Sequence, residues 1–455
     1  MKMHRTLAHL GLTSALPVLV AASPAHAMGL EEAVRQALSN NPRLESGEQA
    51  VTAADHAVEA SQFGYLPRLD ISVGARATDN PGQAFLAKIN QGDATRQDFQ
   101  PDVVNDPDTT TDLATTLELR QPIYQGGAIT ARVEQAQAKR GSAEQALDGS
   151  RLQVALKATR SYLDILLAQA RQRVTEQALK AAREHLSLAQ DRYQTGSTIR
   201  TDVLKARTRV SELEEKQLSL RNAEQLHQGS LNQVLGRSLS APVRVNQKLR
   251  AELPPKPDPI RKLTERALAA HPDVRQSRFQ AQKAQAAIDE AAANLWPSLG
   301  LQAQVRDHRA SAQDQSWLVG AELEWRLFGG GRWDQKEAAT AKHFAARAQL
   351  SSQARGIRLA VRKARLSLET ARSRLETVHH AEESAEEGLR TTEDRYEQGA
   401  ATIVELLDAE LALNEARLRR VKALYDLRLN YAKLQKATGR IPVLARSPGQ
   451  PPASG

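Results

Sequence analysis

Few residues in this chain are placed to do chemistry. His379 and His380 precede Glu382, Glu383, Glu386 and Glu387, an imidazole and carboxylate set that could hold a divalent metal. Solvated helix faces often have the same composition, so no metal site is assigned. Gly126-Gly127 and Gly329-Gly330-Gly331 could be taken for phosphate-cradling loops, but they lack the spacing and the Lys-Ser/Thr that such loops need. No zinc-protease helix, nucleophile elbow or Ser/His/Asp constellation can be argued from spacing. The chain therefore reads as a non-enzyme without a cofactor. Glu405 and Asp408 lie three residues apart and share one helix face, which on spacing alone is an ordinary solvated acidic face.

The elements that would carry these residues come in duplicate. Ala37-Leu38-Ser39-Asn40-Asn41-Pro42 returns as Ala267-Leu268-Ala269-Ala270-His271-Pro272, an offset of 230, which also carries Leu66-Pro67-Arg68-Leu69 onto Trp296-Pro297-Ser298-Leu299. Further on, Asp191-Arg192-Tyr193-Gln194-Thr195-Gly196 meets Asp394-Arg395-Tyr396-Glu397-Gln398-Gly399 at an offset of 203. Two copies of one supersecondary unit are implied, differing chiefly in a single loop of the first.

Residues 1–27 read as a secretory leader: Lys2 and Arg5, an apolar stretch from Leu7 to Val20, then Ala25-His26-Ala27 as a small-residue cleavage site. No later window approaches the roughly 20 apolar residues of a spanning helix. Cysteine is absent, which excludes disulfides, thiolate metal sites and a lipidated cysteine. An exported chain of this kind fits a periplasmic or outer-membrane destination. The net charge of +9 is spread among intermixed acidic and basic residues, and aromatics are only 4%, so nucleic acid is a poor partner.

After each Pro67 or Pro297 the hydrophobic period changes to two. Leu69, Ile71, Val73, Ala75 and Ala77 oppose Asp70, Ser72, Gly74, Arg76 and Thr78; Leu113, Leu117, Leu119 and Ile123 oppose Thr116, Glu118 and Arg120. In the second copy, Leu299, Leu301, Ala303 and Val305 oppose Gln302, Gln304 and Arg306, while Val319, Ala321, Leu323, Trp325 and Leu327 oppose Glu322, Glu324 and Arg326. Strands with one apolar and one polar face are the pattern of a transmembrane β-barrel. Four cannot close one, because lipid tolerates no open edge and such barrels start at about eight strands. The chain must pool strands with copies of itself, and three chains would give about twelve.

Each strand pair leads through a glycine cluster into a helical pattern without proline, about 128–193 and 332–396, each about 100 Å long. Leu152, Leu156, Leu163, Leu166 and Ala170 form one seam, with Val154, Ala158, Ile165 and Ala168 beside it, so each helix has neighbours on two sides. Return helices are expected over about 200–235 and 402–437, and opening helices over about 43–65 and 273–295. A return and an opening helix stacked end to end match one long helix in length. The fold class is thus mixed α and β: long helical hairpins forming a periplasmic α-barrel, with four strands per chain in a shared β-barrel. The units are 28–237 and 263–440, joined by an equatorial proline-rich linker, 238–262, and followed by a disordered tail, 441–455. The insertion at about 79–112 is expected to be a polar, turn-rich extracellular loop.

These features in this order, twice, resemble the TolC-type outer-membrane efflux proteins over nearly the whole mature sequence. The carrying motifs are the duplicated Ala-Leu-x3-Pro, Leu/Trp-Pro-x-Leu before the strands, the strand-to-Gly-Gly turn, and the tips Arg192-Tyr193-x2-Gly196 and Arg395-Tyr396-x2-Gly399. The resemblance implies a homotrimer with a 12-stranded barrel in outer-membrane lipid above a periplasmic tunnel. It would act as a passive exit duct for efflux or type I secretion, opened by a periplasmic adaptor and an inner-membrane pump or ABC exporter. It further implies that Glu405 and Asp408 project into the pore as a gate, that Tyr396 latches onto Asp202, and that the turns at Gly196 and Gly399 face the adaptor. The family's latch arginine falls on Ala401, which predicts a looser resting gate. The rival readings are a periplasmic adaptor, which carries one hairpin rather than two, and a structural coiled-coil protein, which leaves the strands unexplained.

Overall fold

The computed structural model describes residues 28–442 apart from 246, 248, 250–252 and 309–314; the expected leader and nearly all of the expected tail lie outside the described residues. The first unit comprises helices α1 (Leu30–Asn40) and α2 (Pro42–Gln62), strand β1 (Arg68–Thr78), helices α3 (Pro81–Asn90) and α4 (Pro101–Asn105), strand β2 (Thr110–Gln125), and helices α5 (Ala128–Gln194) and α6 (Arg200–Val234). The second comprises α7 (Ile260–Ala270), α8 (Pro272–Ala293), β3 (Ser298–His308), β4 (Gln315–Glu324), α9 (Arg332–Glu397) and α10 (Ile403–Ala437).

The breaks between short helices are written in the sequence. A residue before proline is pushed out of the helical region, and Asn41 and His271 are both extended, with ψ of 120° and 126°. Each side chain then caps the next helix: Asn41 accepts from the Arg43 N–H and His271 from the Asp273 N–H. Gly236, at the end of α6, packs against this break. A Cβ there would lie 2.3 Å from the Asn40 carbonyl oxygen, and the residue's φ of +67° is one that favours glycine. With Asn41 Nδ2 donating to the Val234 carbonyl at 2.7 Å, the joint fixes α2 above α6. The two together run alongside α5.

The copies differ in how deeply their long helices are buried. Around its middle α5 is covered on most sides, with Tyr162, Leu163 and Ile165 fully buried and Lys157 and Arg160 exposed. It packs against α1, α2, α6, α8 and α10. Both expected seams are buried, except that Leu156 is only partly covered. Helix α9 packs against α7, α8 and α10 and buries Ile357, Val361, Leu368 and Ala371, while Phe344, Leu359 and Leu366 stay exposed.

The four strands form one antiparallel sheet in the order β1-β2-β3-β4. Register aligns the apolar faces into unbroken rows: Ile71 pairs with Leu117, Leu117 with Val305, and Val305 with Trp317. The next row is Leu69, Leu119, Ala303 and Val319. These rows lie open in one chain, with Ile71 72% and Val319 71% exposed. Among the described residues no helix is long and apolar enough to cross a membrane.

Three local expectations are corrected. The register shifts between Pro122 and Tyr124, so Ile123 drops out of its apolar row and Tyr124, opposite Leu299, replaces it; Pro122 has no N–H to continue the ladder. Strand β4 stops at Glu324, opposite Ser298, because β3 begins only there, after Pro297; Trp325, Arg326 and Leu327 therefore lie outside the sheet. The insertion is no simple run of turns. It folds into α3, a 3-10 turn at Arg96–Phe99 and α4, held by a Lys88–Asp98 pair at 2.7 Å and edge-on contact of Phe85 with Phe99.

Candidate functional site: the paired hairpin tips

Each long helix turns into its return helix through glycine. Gly196 and Gly399 both have φ of +75°, a left-handed geometry that closes a helix end without strain only for glycine. The next N–H reaches back five residues in both copies: Ser197 to the Arg192 carbonyl at 2.8 Å and Ala400 to the Arg395 carbonyl at 2.7 Å. The two turns are near-identical, so the difference between tips lies in side chains.

Arg192 joins them. Its guanidinium stacks over the Tyr396 ring, 4.5 Å from the centroid, and donates to the carbonyls of Tyr396 at 2.9 Å and Glu397 at 3.0 Å. These carbonyls sit at the C-terminal end of α9, where the helix dipole favours a cation. Tyr396 is buried in an apolar cluster with Ile403 and Leu406, against which Ala401 and Leu188 pack. Burial pushes its phenol pKa up, Arg192 pulls it back and Asp202 adds to the rise.

Tyr396 and Asp202 thus share one neighbourhood but are not hydrogen-bonded. The Asp202 carboxylate accepts from Thr198 Oγ1 at 2.5 Å, and the Tyr396 hydroxyl has no partner among the described residues. The cation against Tyr396 comes from Arg192 of the first tip. Sequence reading used Arg192 only as a repeat marker, although a basic residue in the last turn of a helix was a usable signal.

Glu405 and Asp408 are both exposed in the first turns of α10. Glu405 has a second engagement: its carboxylate accepts from the Thr402 N–H at 2.7 Å and Thr402 Oγ1 at 2.9 Å, while the Glu405 N–H donates to Thr402 Oγ1 at 3.3 Å. This is a capping box, legible in Thr402-Ile403-Val404-Glu405 and missed in the sequence reading. The Thr402 backbone and hydroxyl donors hold the Glu405 pKa below its ordinary value. Asp408 has no such tether.

The acidic residues after His379 and His380 are largely matched by arginines. Glu382 meets Arg420 at 2.8 Å, Glu386 meets Arg417 at 2.9 Å and Glu387 meets Arg390 at 2.6 Å. Among the described residues no group of three or more metal-ligating side chains is assembled.

Comparison with known proteins agrees in extent with this architecture. The family described as outer membrane efflux protein matches residues 33–237 and 263–440. The alkaline protease secretion protein AprF of Pseudomonas aeruginosa is 24% identical over 438 residues, 93% of this chain and 86% of that protein. The outer membrane protein TolC of Vibrio cholerae is 23% identical, covering 94% of this chain and 95% of its own. Among solved structures, the outer membrane protein VceC of Vibrio cholerae superimposes with a TM-score of 0.74 at 19% identity, over 90% of this chain and 96% of that one.

Proposed function

The chain belongs to the outer membrane efflux protein family, and from that premise we propose that three copies form an outer-membrane exit duct, gated at the hairpin tips. The observation that carries the reading is the sheet. Two apolar rows run unbroken across four strands, and both outer strands, β1 and β4, have an edge without a partner among the described residues. In lipid such edges must be paired and such rows covered by hydrocarbon. Apolar side chains are exposed on the helices as well, Leu218 and Leu226 on α6 and Leu359 and Leu366 on α9. Pairing β4 with β1 and α9 with α6 of the next copy would cover both sets at once.

In this assembly Glu405 and Asp408 of three chains bring six carboxylates towards the axis, a ring that attracts cations. Asp408 is the freer of the two, since Glu405 also caps α10. The turns at Gly196 and Gly399 are the surfaces offered to a periplasmic adaptor, and energy comes from an inner-membrane pump or exporter. The linker 238–262 acts as an equatorial strap, tied to α9 where Arg372 donates to the Pro254 carbonyl.

Membrane fractionation followed by unheated gel electrophoresis tests the duct. The expected species is an outer-membrane, detergent-resistant trimer that conducts in planar bilayers. A soluble monomer would overturn the proposal.

A further inference from the structure

About three turns above the tips, the two hairpins meet at a largely covered histidine. His185 of α5 places Nε2 at 2.9 Å from Glu410 Oε1 of α10 and 3.8 Å from Glu393 Oε1 of α9. The His185 and Glu410 side chains are only 15% and 8% exposed. From its own helix Glu184 adds a third acidic charge. Beside the pair lies a cavity of about 50 Å³ between the four helices of the two hairpins, lined in part by Gln177, Arg209, Glu410, Asn414 and Arg417. Both arginines already have acidic partners, Arg209 with Glu212 at 3.2 Å and Arg417 with Glu386 at 2.9 Å. Leu213, Leu389 and Leu413 line it beside these polar groups, and a cavity of this size with several polar partners has room for water next to the pair.

Two carboxylates from the second hairpin therefore converge on one imidazole of the first. With a neutral imidazole they repel each other across the partly buried seam; with a protonated one they are bridged. We propose that His185 is a proton-operated clasp between the hairpins, closed when protonated and released when neutral. The proposal rests on the reading of the tips as a gate, and it assigns that gate a control that neither Glu405 nor Asp408 supplies.

The electrostatics agree with the geometry. Burial pulls the His185 pKa down, but the Glu410 carboxylate held at 2.9 Å, with Glu393 and Glu184, more than offsets it and holds it above the ordinary value. Burial foremost, with Glu410, Asp394 and Glu397, holds Glu393 above its own, against the pull of His185. A pKa raised in the clasped state contributes attraction that is fully present below the unclasped value. That contribution is lost as pH rises through the clasped value. For His185 the loss begins above about 6.5. Mild acid tightens the tips and mild alkali loosens them.

The test uses the full chain in planar bilayers between about pH 6 and about pH 8.5, the range a histidine controls. Resting conductance is expected to rise several-fold with pH, by at most about tenfold per pH unit for one proton. His185→Gln should remove the step and conduct at the high level throughout. His185→Lys should stay near the low level, and Glu410→Gln should flatten the profile from the carboxylate side. A full pH step retained in His185→Gln overturns the clasp. Hydrogen-exchange protection of 179–189 and 403–413, corrected for intrinsic rates, gives a readout independent of conduction. It should fall with pH in the parent and not in His185→Gln, and equal loss in both also overturns the clasp. Channels with a flat parent profile refute the clasp alone, whereas absence of any channel refutes the duct.

Discussion

At the scale of single residues, Arg192 makes the contact between the two tips that neither member of the acidic pair singled out by family resemblance makes. Arg192→Ala removes a stacked cation and two hydrogen bonds to helix-end carbonyls, together about 1–3 kcal/mol. The expected result is a higher resting conductance and faster proteolysis near Gly399, with trimer yield unchanged. Ala401→Arg makes a contrasting case. Position 401 packs against the Tyr396, Ile403 and Leu406 cluster, and Arg192 already covers the ring, so an added guanidinium has to displace apolar contacts. Single-channel recording of Ala401→Arg in the Arg192→Ala background should show whether one cation can replace the other. Glu405 also carries a pH dependence. Its pKa is held down in the folded tip, so its contribution is present above the unfolded value and lost as pH falls through the lowered one. Amide protection in the first turn of α10, corrected for intrinsic rates, should therefore fall in strong acid; Thr402→Ala, which loses the hydroxyl half of the cap, should start lower and fall less with acid.

At the scale of elements, the sheet register separates two kinds of substitution on neighbouring residues. Ile71→Arg puts a charge in the exposed apolar row, which costs about 2–4 kcal/mol at mid-membrane, once per copy. Thr116→Arg lies on the opposite face, beside Arg306. The first should abolish detergent-resistant trimers in gel electrophoresis; the second should leave them intact and shift ion selectivity. Gly236→Ala should destabilise the joint between α2 and α6, visible as a lower thermal midpoint, because both space and backbone angle exclude a side chain. Much of this level was legible in the sequence. Proline and glycine punctuation gave helix limits within about three residues, and period two gave the rows. What escaped depended on a partner strand. The displacement of Ile123 by Tyr124 and the early end of β4 follow from pairing with β3, which no single-strand pattern encodes. The helices inside the insertion escaped because a short polar segment has weak periodicity. His185 escaped because a lone histidine within an alanine-rich seam gains meaning only when Glu393 and Glu410 arrive from distant sequence.

At the scale of the whole molecule, duplication has produced two units with unlike duties. Helix α5 of the first is enclosed by five helices drawn from both units, whereas α9 of the second has three neighbours and an exposed flank. Opening of the tips is then expected to be carried by α9 and α10 swinging against a fixed α5. Spin labels on Ile199 and Val404 in this cysteine-free chain should separate on opening, while labels within the first hairpin keep their distance. The open flanks of β1 and β4 have one more consequence, for the life of the protein before it reaches its membrane. A lone chain in water carries two adhesive strand borders and a greasy band, and any other chain can dock there in a wrong alignment. Correct ring closure takes three chains, whereas mispairing takes only two and can continue without limit. Folding yield should therefore fall sharply once newly exported chains accumulate faster than lipid can receive them, making timing of delivery, rather than stability of the finished object, the vulnerable stage.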